Sequence, residues 1–159
     1  MIEFGKKLLR TSGGALSLTV LVMPAPTAQA ASDIADLVRR EEATTGDDIR
    51  FVWLPAVEIP TDHTGIDEFI SRVVRSHVPH VKAAIAGPVA ALVVDIFCTP
   101  ALNASRELAV PTYMYFTSCA AMLALFLRLP ALDEEVDGDL LEIPGLPLPL
   151  PASALPTTT

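Results

Sequence analysis

The sequence predicts an α/β fold in which a parallel sheet carries helices on both faces. Apolar segments of strand length alternate along the chain with segments whose apolar residues recur every three or four positions. One strand-like segment, residues 89–97 (VAALVVDIF), is apolar at every position except Asp95, which is typical of a strand buried on both faces. Strands that alternate with helices in this way build doubly wound sheets through right-handed crossovers.

Nine elements are predicted, and helices and strands alternate throughout. In chain order they are helix 2–10, strand 15–22, helix 32–42, strand 49–54, helix 66–86, strand 89–97, helix 99–108, strand 112–116 and helix 118–129. An acidic stretch at 133–139 and a proline-rich extended tail at 143–159 follow.

Turn and cap residues set the boundaries of the first half. Gly13 and Gly14 end the first helix, because glycine turns the chain through positive φ without strain. Pro24 closes the first strand, Asp33 lies in the first turn of the second helix, and Pro55 stops the second strand.

The second half has equally clear signals. Apolar residues recur at helical spacing from Ile66 onwards, and Pro79 predicts a kink in that long amphipathic helix. Thr99 is expected to cap the next helix with Pro100 at its first position, and Ser118 is expected to cap the last one.

Composition limits the class of protein. Hydrophobic residues make up 51% of the 159 residues, enough for a single buried core. The net charge of −8 and the pI near 4.7 have the wrong sign for a protein that neutralises nucleic-acid phosphates. We therefore expect no nucleic-acid partner.

The cysteines and histidines give no metal site. Cys98 and Cys119 lack the spacing of a zinc or redox motif, and we expect both to be buried free thiols in a reducing compartment. His77 and His80 are three residues apart on a predicted helix, but no further ligand is near. The expected position of both histidines is the surface of an amphipathic helix, and His63 is expected in a loop.

The N-terminus resembles a secretory leader in part. Basic residues, the apolar run 15–23 and the small residues Ala28-Gln29-Ala30 imitate the three regions of a signal peptide. The later alternation favours a strand at 15–22 instead, although a small secreted protein stays an alternative. No apolar run reaches the roughly 18 residues of a membrane span, so we expect none.

Two polar residues end predicted strands. Ligands of doubly wound sheets bind at the carboxyl ends of strands, and Asp95 and Ser118 lie near such ends. A carboxylate in an apolar strand is costly to bury without a partner, which makes Asp95 a candidate functional residue. Ser118 is more simply explained as a helix cap. Neither a dinucleotide-binding nor a phosphate-binding glycine motif is present.

Several motifs, in this order and spacing, resemble one family. VVDIFC (93–98), VPTYMYFTS (110–118) and the PGLP tail (144–147) are similar to the acceptor-binding N-terminal domain of plant UDP-dependent glycosyltransferases of family 1. The resemblance implies the N-terminal half of a GT-B fold, Rossmann-like, without the family's first strand. It divides the chain into a partial acceptor-binding domain at 1–136 and an acidic, proline-rich tail at 137–159.

The resemblance also implies roles for four residues. Asp95 matches the catalytic aspartate that orients a histidine, and Ser118 matches a hydroxyl position that contacts the donor sugar. Phe97 and Phe116 match positions near the acceptor pocket. None of the three histidines of this chain matches the catalytic histidine, which in the family follows the first strand.

The function implied by the resemblance is transfer of a hexose, with glucose expected, from a UDP-sugar to a hydroxyl of a small lipophilic acceptor such as a flavonoid, phenylpropanoid or hormone, with inversion. No metal or other cofactor is implied, and the expected location is the cytoplasm. We expect this chain alone to be inactive. A non-catalytic acceptor-binding module, or an unstable product of a truncated gene, are the alternatives.

Overall fold

A computed structural model describes residues 1–45, 48–135, 140–141 and 148–151. The chain divides into two compact units, 1–115 and 116–159. The first unit contains α1 (Ile2–Ser12), β1 (Leu18–Val22), α2 (Ala28–Thr45), β2 (Ile49–Trp53), α3 (Ile66–Ala84), β3 (Leu92–Val94), a 3₁₀ helix (Ile96–Ala101), α4 (Leu102–Glu107) and β4 (Thr112–Met114). The second contains α5 (Ala120–Glu135), β5 (Leu140–Leu141) and β6 (Leu150–Pro151).

The strands of the first unit pair in parallel, which confirms the predicted α/β class. β1 pairs with β2 from Leu18↔Ile49 to Val22↔Trp53. β3 pairs with β4 from Leu92↔Thr112 to Val94↔Met114. In the part of the chain that the structure describes, these are two separate two-stranded sheets, and no ladder joins β1 to β3.

All four strands of the first unit are shorter than predicted, and for β1 and β3 the local reason is clear. The amide of Ala15 donates to the carbonyl of Ser12, so the chain is still turning after α1 and β1 begins only at Leu18. β3 ends at Val94 because the side chain of Asp95 starts a 3₁₀ helix at once. The composition of these segments did not indicate the late start of β1 or the early end of β3.

Helix boundaries also shift. α2 begins at Ala28, four residues before the predicted start, because the hydroxyl of Thr27 accepts from the amide of Ala30 at 3.3 Å. α3 runs from Ile66 to Ala84 with Pro79 inside it, close to the predicted 66–86.

A small buried cluster joins the elements of the first unit. Leu54, Val81 and Ala101 are each at most 5% exposed, and Leu21 and Met23 pack against them. These residues come from β1, the end of β2, α3 and the 3₁₀ helix that follows β3. We call these five residues the core cluster. It joins the first sheet to α3 and to the 3₁₀ helix that follows β3.

Helix α1 is held by a close approach and an ion pair. A Cβ at Gly5 would lie 2.5 Å from Cδ2 of Leu18, so the glycine allows α1 to lie directly against the start of β1. The ammonium of Lys6 lies 2.6 Å from a carboxylate oxygen of Glu41 on α2. The ring of Phe4 packs on that of Tyr115 at 5.0 Å.

The expected surface position of His77 is wrong. His77 is fully buried on α3, and its Nδ1 lies 2.8 Å from the carbonyl oxygen of Val73. Nε2 has no hydrogen-bond partner in the described structure. His77 follows Val73 and precedes Val81 by four residues each, and both valines are buried, so the periodicity already placed it on the inner face.

The second unit contains a short antiparallel pair between β5 and β6. Most of the proline-rich tail, and the predicted boundary at 136–137, lie outside the described residues, so that domain boundary stays a prediction. No helix in the described part of the chain is both long and apolar enough to cross a membrane.

Val81 tests the core cluster. Replacing Val81 by Ala leaves a small cavity between α3 and the 3₁₀ helix, and we expect the free energy of unfolding to fall by about 1 to 3 kcal/mol. The measurement is the urea midpoint by circular dichroism. Ser76→Ala, at an exposed position of the same helix, is the control and should leave the midpoint unchanged. An unchanged midpoint for Val81→Ala would contradict the role of the cluster.

Candidate functional site

The carboxyl ends of three strands meet above the core cluster. Met23 follows β1, Leu54 follows β2, and Ala101 lies in the 3₁₀ helix after β3; all three belong to that cluster. Parallel strands bring their ligand-binding residues to this edge. We call this edge the carboxyl rim.

Large apolar side chains are exposed at the carboxyl rim. Trp53 at the end of β2 is 46% exposed, and Phe97, two residues after Asp95, is 50% exposed. Met114, the last residue of β4, is also exposed. A set of exposed aromatic and thioether side chains at such an edge suits a flat apolar ligand better than an ion.

Asp95 begins the 3₁₀ helix. Its Oδ1 accepts hydrogen bonds from the amide of Phe97 at 3.0 Å and from the amide of Cys98 at 2.9 Å. The expectation that Thr99 caps this segment is wrong, because the helix has already started at Ile96 and Thr99 lies inside it. Asp95 is therefore a structural cap as well as a half-buried carboxylate at the rim.

The thiol of Cys98 lies beside the carboxylate of Asp95. Burial, followed by the hydrogen bond and the charge of Asp95, raises the pKa of Cys98 to about 12. Cys98 is a weak thiol donor beside a carboxylate, and it is not a nucleophile at neutral pH. Cys98 is a free thiol as predicted, but it is half-buried and not buried.

Phe116 and Ser118 belong to the second unit. The ring of Phe116 packs edge to face on that of Phe126, with 5.8 Å between centroids. Ser118 is exposed and does not cap α5, since the first helical bond runs from the amide of Leu123 to the carbonyl of Cys119. The acceptor role of Phe116 and the donor-sugar role of Ser118 stay predictions.

Cys119 is the cap of α5, and its expected burial is wrong. Its side chain is exposed. The amide of Met122 lowers the pKa of the thiol most, desolvation opposes it, and the amide of Ala121 and the Ser118 hydroxyl lower the pKa further. A cysteine after Ser118 at a helix start was a visible signal for this position.

Sequence analysis missed Trp53 and Met114 at the rim. Both are the last residue of their strand, and this position in a parallel strand was the available signal. No group of three or more metal-ligating side chains lies together in the described ranges. None of the three histidines forms a hydrogen bond with Asp95 in the described structure.

Comparison with known proteins decides the family. No protein-family model matches the chain. Over 168 residues, the chain is 65% identical to a malvidin galactosylase, UGT88C3, from Oryza sativa subsp. indica, which covers 99% of this chain and 34% of that protein. The chain belongs to the plant UDP-glycosyltransferases. It is also 30% identical to anthocyanidin 3-O-glucosyltransferase 1 of Manihot esculenta, over 95% of this chain and 36% of that protein.

Solved structures of the same family share the fold. UGT71G1 of Medicago truncatula, complexed with UDP-glucose, matches with a TM-score of 0.80 and 29% identity over 98% of this chain and 35% of that one. UGT2 of Phytolacca americana, complexed with UDP-2-fluoro-glucose and pterostilbene, matches with a TM-score of 0.74 and 27% identity over 94% of this chain and 35% of that one. This glycosyltransferase chain thus spans about a third of the length of the relatives it matches.

The two thiols should differ in reactivity. At pH 8 we expect iodoacetamide to modify Cys119 faster than Cys98 by more than about a hundredfold, because the pKa of Cys119 is lowered and that of Cys98 is raised to about 12. Mass spectrometry of timed samples measures both rates. In 8 M urea, the control, the rates should converge, and equal rates in the folded chain would contradict the assignment.

Asp95 variants separate its cap from its charge. Asp95→Ala removes the acceptor for two amides and should lower the free energy of unfolding by about 0.5 to 2 kcal/mol, whereas Asp95→Asn keeps a cap of similar quality and should lose little. Urea midpoints provide the measurement. If Asn destabilised the chain as much as Ala, the carboxylate charge would matter more than the cap.

Proposed function

We propose that this chain forms the acceptor-binding part of an enzyme that transfers a hexose from a UDP-sugar to a hydroxyl group of a small lipophilic acceptor, with inversion at the anomeric carbon. The observation that carries the proposal is Asp95, a carboxylate capping the segment after β3 at a rim that exposes Trp53 and Phe97. Membership of the family supplies the reaction class.

The chemistry assigns each group a step. A base removes the proton of the acceptor hydroxyl, the oxygen forms a bond to the anomeric carbon, and the bond from that carbon to UDP breaks. Oδ1 of Asp95 is occupied by the amides of Phe97 and Cys98, which fixes the carboxylate. The same carboxylate, which also contacts the Cys98 thiol, is proposed to orient an imidazole and to balance the positive charge that the imidazole gains.

The apolar rim supports a lipophilic acceptor. Trp53 and Phe97 expose about half of their surface, and flat phenolic rings stack on such faces. The relatives named above are a galactosylase and a glucosyltransferase, so both glucose and galactose are candidate sugars. Phe116 and Ser118 are proposed to serve the acceptor and the donor sugar, as their positions in the family motif suggest.

We also infer a cytoplasmic location. The window that imitates a secretory leader contains β1, and Leu18–Val22 are paired along their whole length with β2. A segment that supplies a strand of the core is not a cleavable leader.

Binding and turnover test the proposal separately. Trp53 is the single tryptophan, so its fluorescence reports events at the rim. We expect flavonols to quench it with saturation and UDP-glucose or UDP-galactose alone to leave it unchanged. No sugar transfer is expected from this chain alone, because no histidine of the chain is bound to Asp95.

Controls for that experiment use the same chain. Trp53→Phe should abolish the signal, and a non-aromatic alcohol should not quench. Saturable quenching by a UDP-sugar without quenching by any phenol would contradict the acceptor role. Sugar transfer that disappears in Asp95→Ala would contradict the expected inactivity while supporting the reaction class.

A further inference from the structure

The segment between β2 and α3 is anchored only at its ends. It begins at Leu54, a member of the core cluster, and it ends at residues 62–64, which contact α3. Residues 55–61 form no hydrogen bond with any described residue. We call residues 55–61 the strap. It begins two residues after Trp53 and therefore leaves from the carboxyl rim.

Arg72 on α3 makes the strongest contact at the far end. Its Nη1 donates to the carbonyl oxygen of Asp62 at 2.7 Å, and its Nη2 donates to Oδ1 of the same residue at 3.0 Å. A single guanidinium thus holds both the backbone and the side chain of Asp62. This two-pronged geometry is specific to arginine.

The next two residues are held to the same helix. The backbone amide and the hydroxyl of Thr64 both donate to Oε2 of Glu68, at 2.9 and 2.7 Å. The ring of His63 packs on that of Phe69 with 4.9 Å between centroids. Oε1 of Glu68 lies 3.6 Å from Nη1 of Arg72, so the carboxylate links the two contacts.

The strap is partly apolar, like the carboxyl rim from which it leaves. Val57, Ile59 and Pro60 are half-buried, while Glu58 is exposed. A segment with these residues, tied at both ends and free between them, can lie over an apolar ligand without unfolding of the strands.

We propose that Arg72 is a positioning residue for the acceptor site: by fixing Asp62 it holds the strap over the carboxyl rim beside Trp53, so that the strap covers a bound lipophilic acceptor. This rests on the proposed function for the ligand, but the anchoring by Arg72 does not depend on it. Asp95 takes no part in the anchor, and His63 contributes only its ring packing on Phe69, so the role concerns binding and not proton transfer.

The exposure of Arg72 and Asp62 determines how strongly their contact can restrict opening of the strap. Arg72 and Asp62 are 39% and 82% exposed in their side chains, so solvent and salt weaken their attraction. The second hydrogen bond from the same guanidinium compensates in part, because bidentate contacts order both partners. We expect changes of about threefold to tenfold in strap opening, and not loss of the fold.

Proteolysis measures the anchor on the chain as it exists. Endoproteinase Glu-C cleaves after Glu58 in the strap and after Glu107 at the end of α4, so each digest contains its own reference for global unfolding. Arg72→Ala should raise the rate at Glu58 about threefold to tenfold relative to Glu107. Arg72→Lys keeps the positive charge but cannot form both hydrogen bonds to Asp62 in the geometry of a guanidinium. Its relative cleavage rate at Glu58 should lie between those of Arg72→Ala and the parent.

Arg75→Ala is the matched control, since Arg75 is an exposed arginine on the same helix with no ion pair among the described residues. It should leave the Glu58 to Glu107 ratio at the parent value. In the parent, raising the salt concentration should increase that ratio, and in Arg72→Ala it should not. A ratio that Arg72→Ala leaves unchanged, or that Arg75→Ala raises equally, overturns the anchor.

Acceptor binding tests what the strap covers. A flavonol that quenches Trp53 should slow cleavage at Glu58 in the parent, and in Arg72→Ala its dissociation constant should rise about threefold to tenfold. If proteolysis shows that Arg72→Ala releases the strap but the flavonol binds both proteins with equal affinity, the covering role is overturned. Absence of quenching by any phenol in the parent overturns the proposed function and the covering role together, and the Glu58 rates still decide the anchor.

Discussion

The core cluster is the contact on which the rest of the first unit depends. In the described chain β1 and β3 share no ladder, and the cluster joins the first parallel pair to α3 and to the 3₁₀ helix that follows β3. Two-stranded sheets are marginal by themselves. Leu54 adjoins Trp53, Ala101 ends the helix that Asp95 begins, and Val81 lies on the helix that carries Arg72. Trp53 and the segment that Asp95 begins are therefore each connected to a member of this cluster.

Asp95 combines a structural role, as the cap of the 3₁₀ helix, with the catalytic role that we propose for it. Thr99 had the better sequence signal for a cap, yet the chain turns into a 3₁₀ helix as soon as β3 ends. The carboxylate that satisfies two amides there is also the one that the family motif assigns to catalysis. Because two backbone amides bind its Oδ1 and the Cys98 thiol also contacts it, the carboxylate is held in place by residues of its own segment.

The sequence was a good guide to order and a poor one to boundaries. Alternation and the glycine and proline breaks predicted the order of the five α-helices and four strands from α1 to α5 and their parallel class, since those signals are local, but not the separate 3₁₀ helix Ile96–Ala101. The early end of β3 depends on a side chain competing with the ladder, and the burial of His77 depends on which face α3 turns inward. At the site, Asp95 and Phe97 were identified through their motif, whereas Trp53 emerged only when β2 was seen to end there.

Three kinds of interaction hold the carboxyl rim, and they respond differently to conditions. The core cluster rests on buried apolar surface, which salt does not screen. The cap at Asp95 uses short hydrogen bonds to backbone amides. The contacts of Arg72 are exposed and ionic; the pKa of Asp62 is lowered by its own backbone amide and by Arg72, and that of Glu68 by Thr64. Both carboxylates are thus charged at neutral pH and lose these contacts only as the pH falls through their lowered pKa values. The strap is for this reason the one part of the rim that salt can loosen while the strands, the cap and the cluster stay in place.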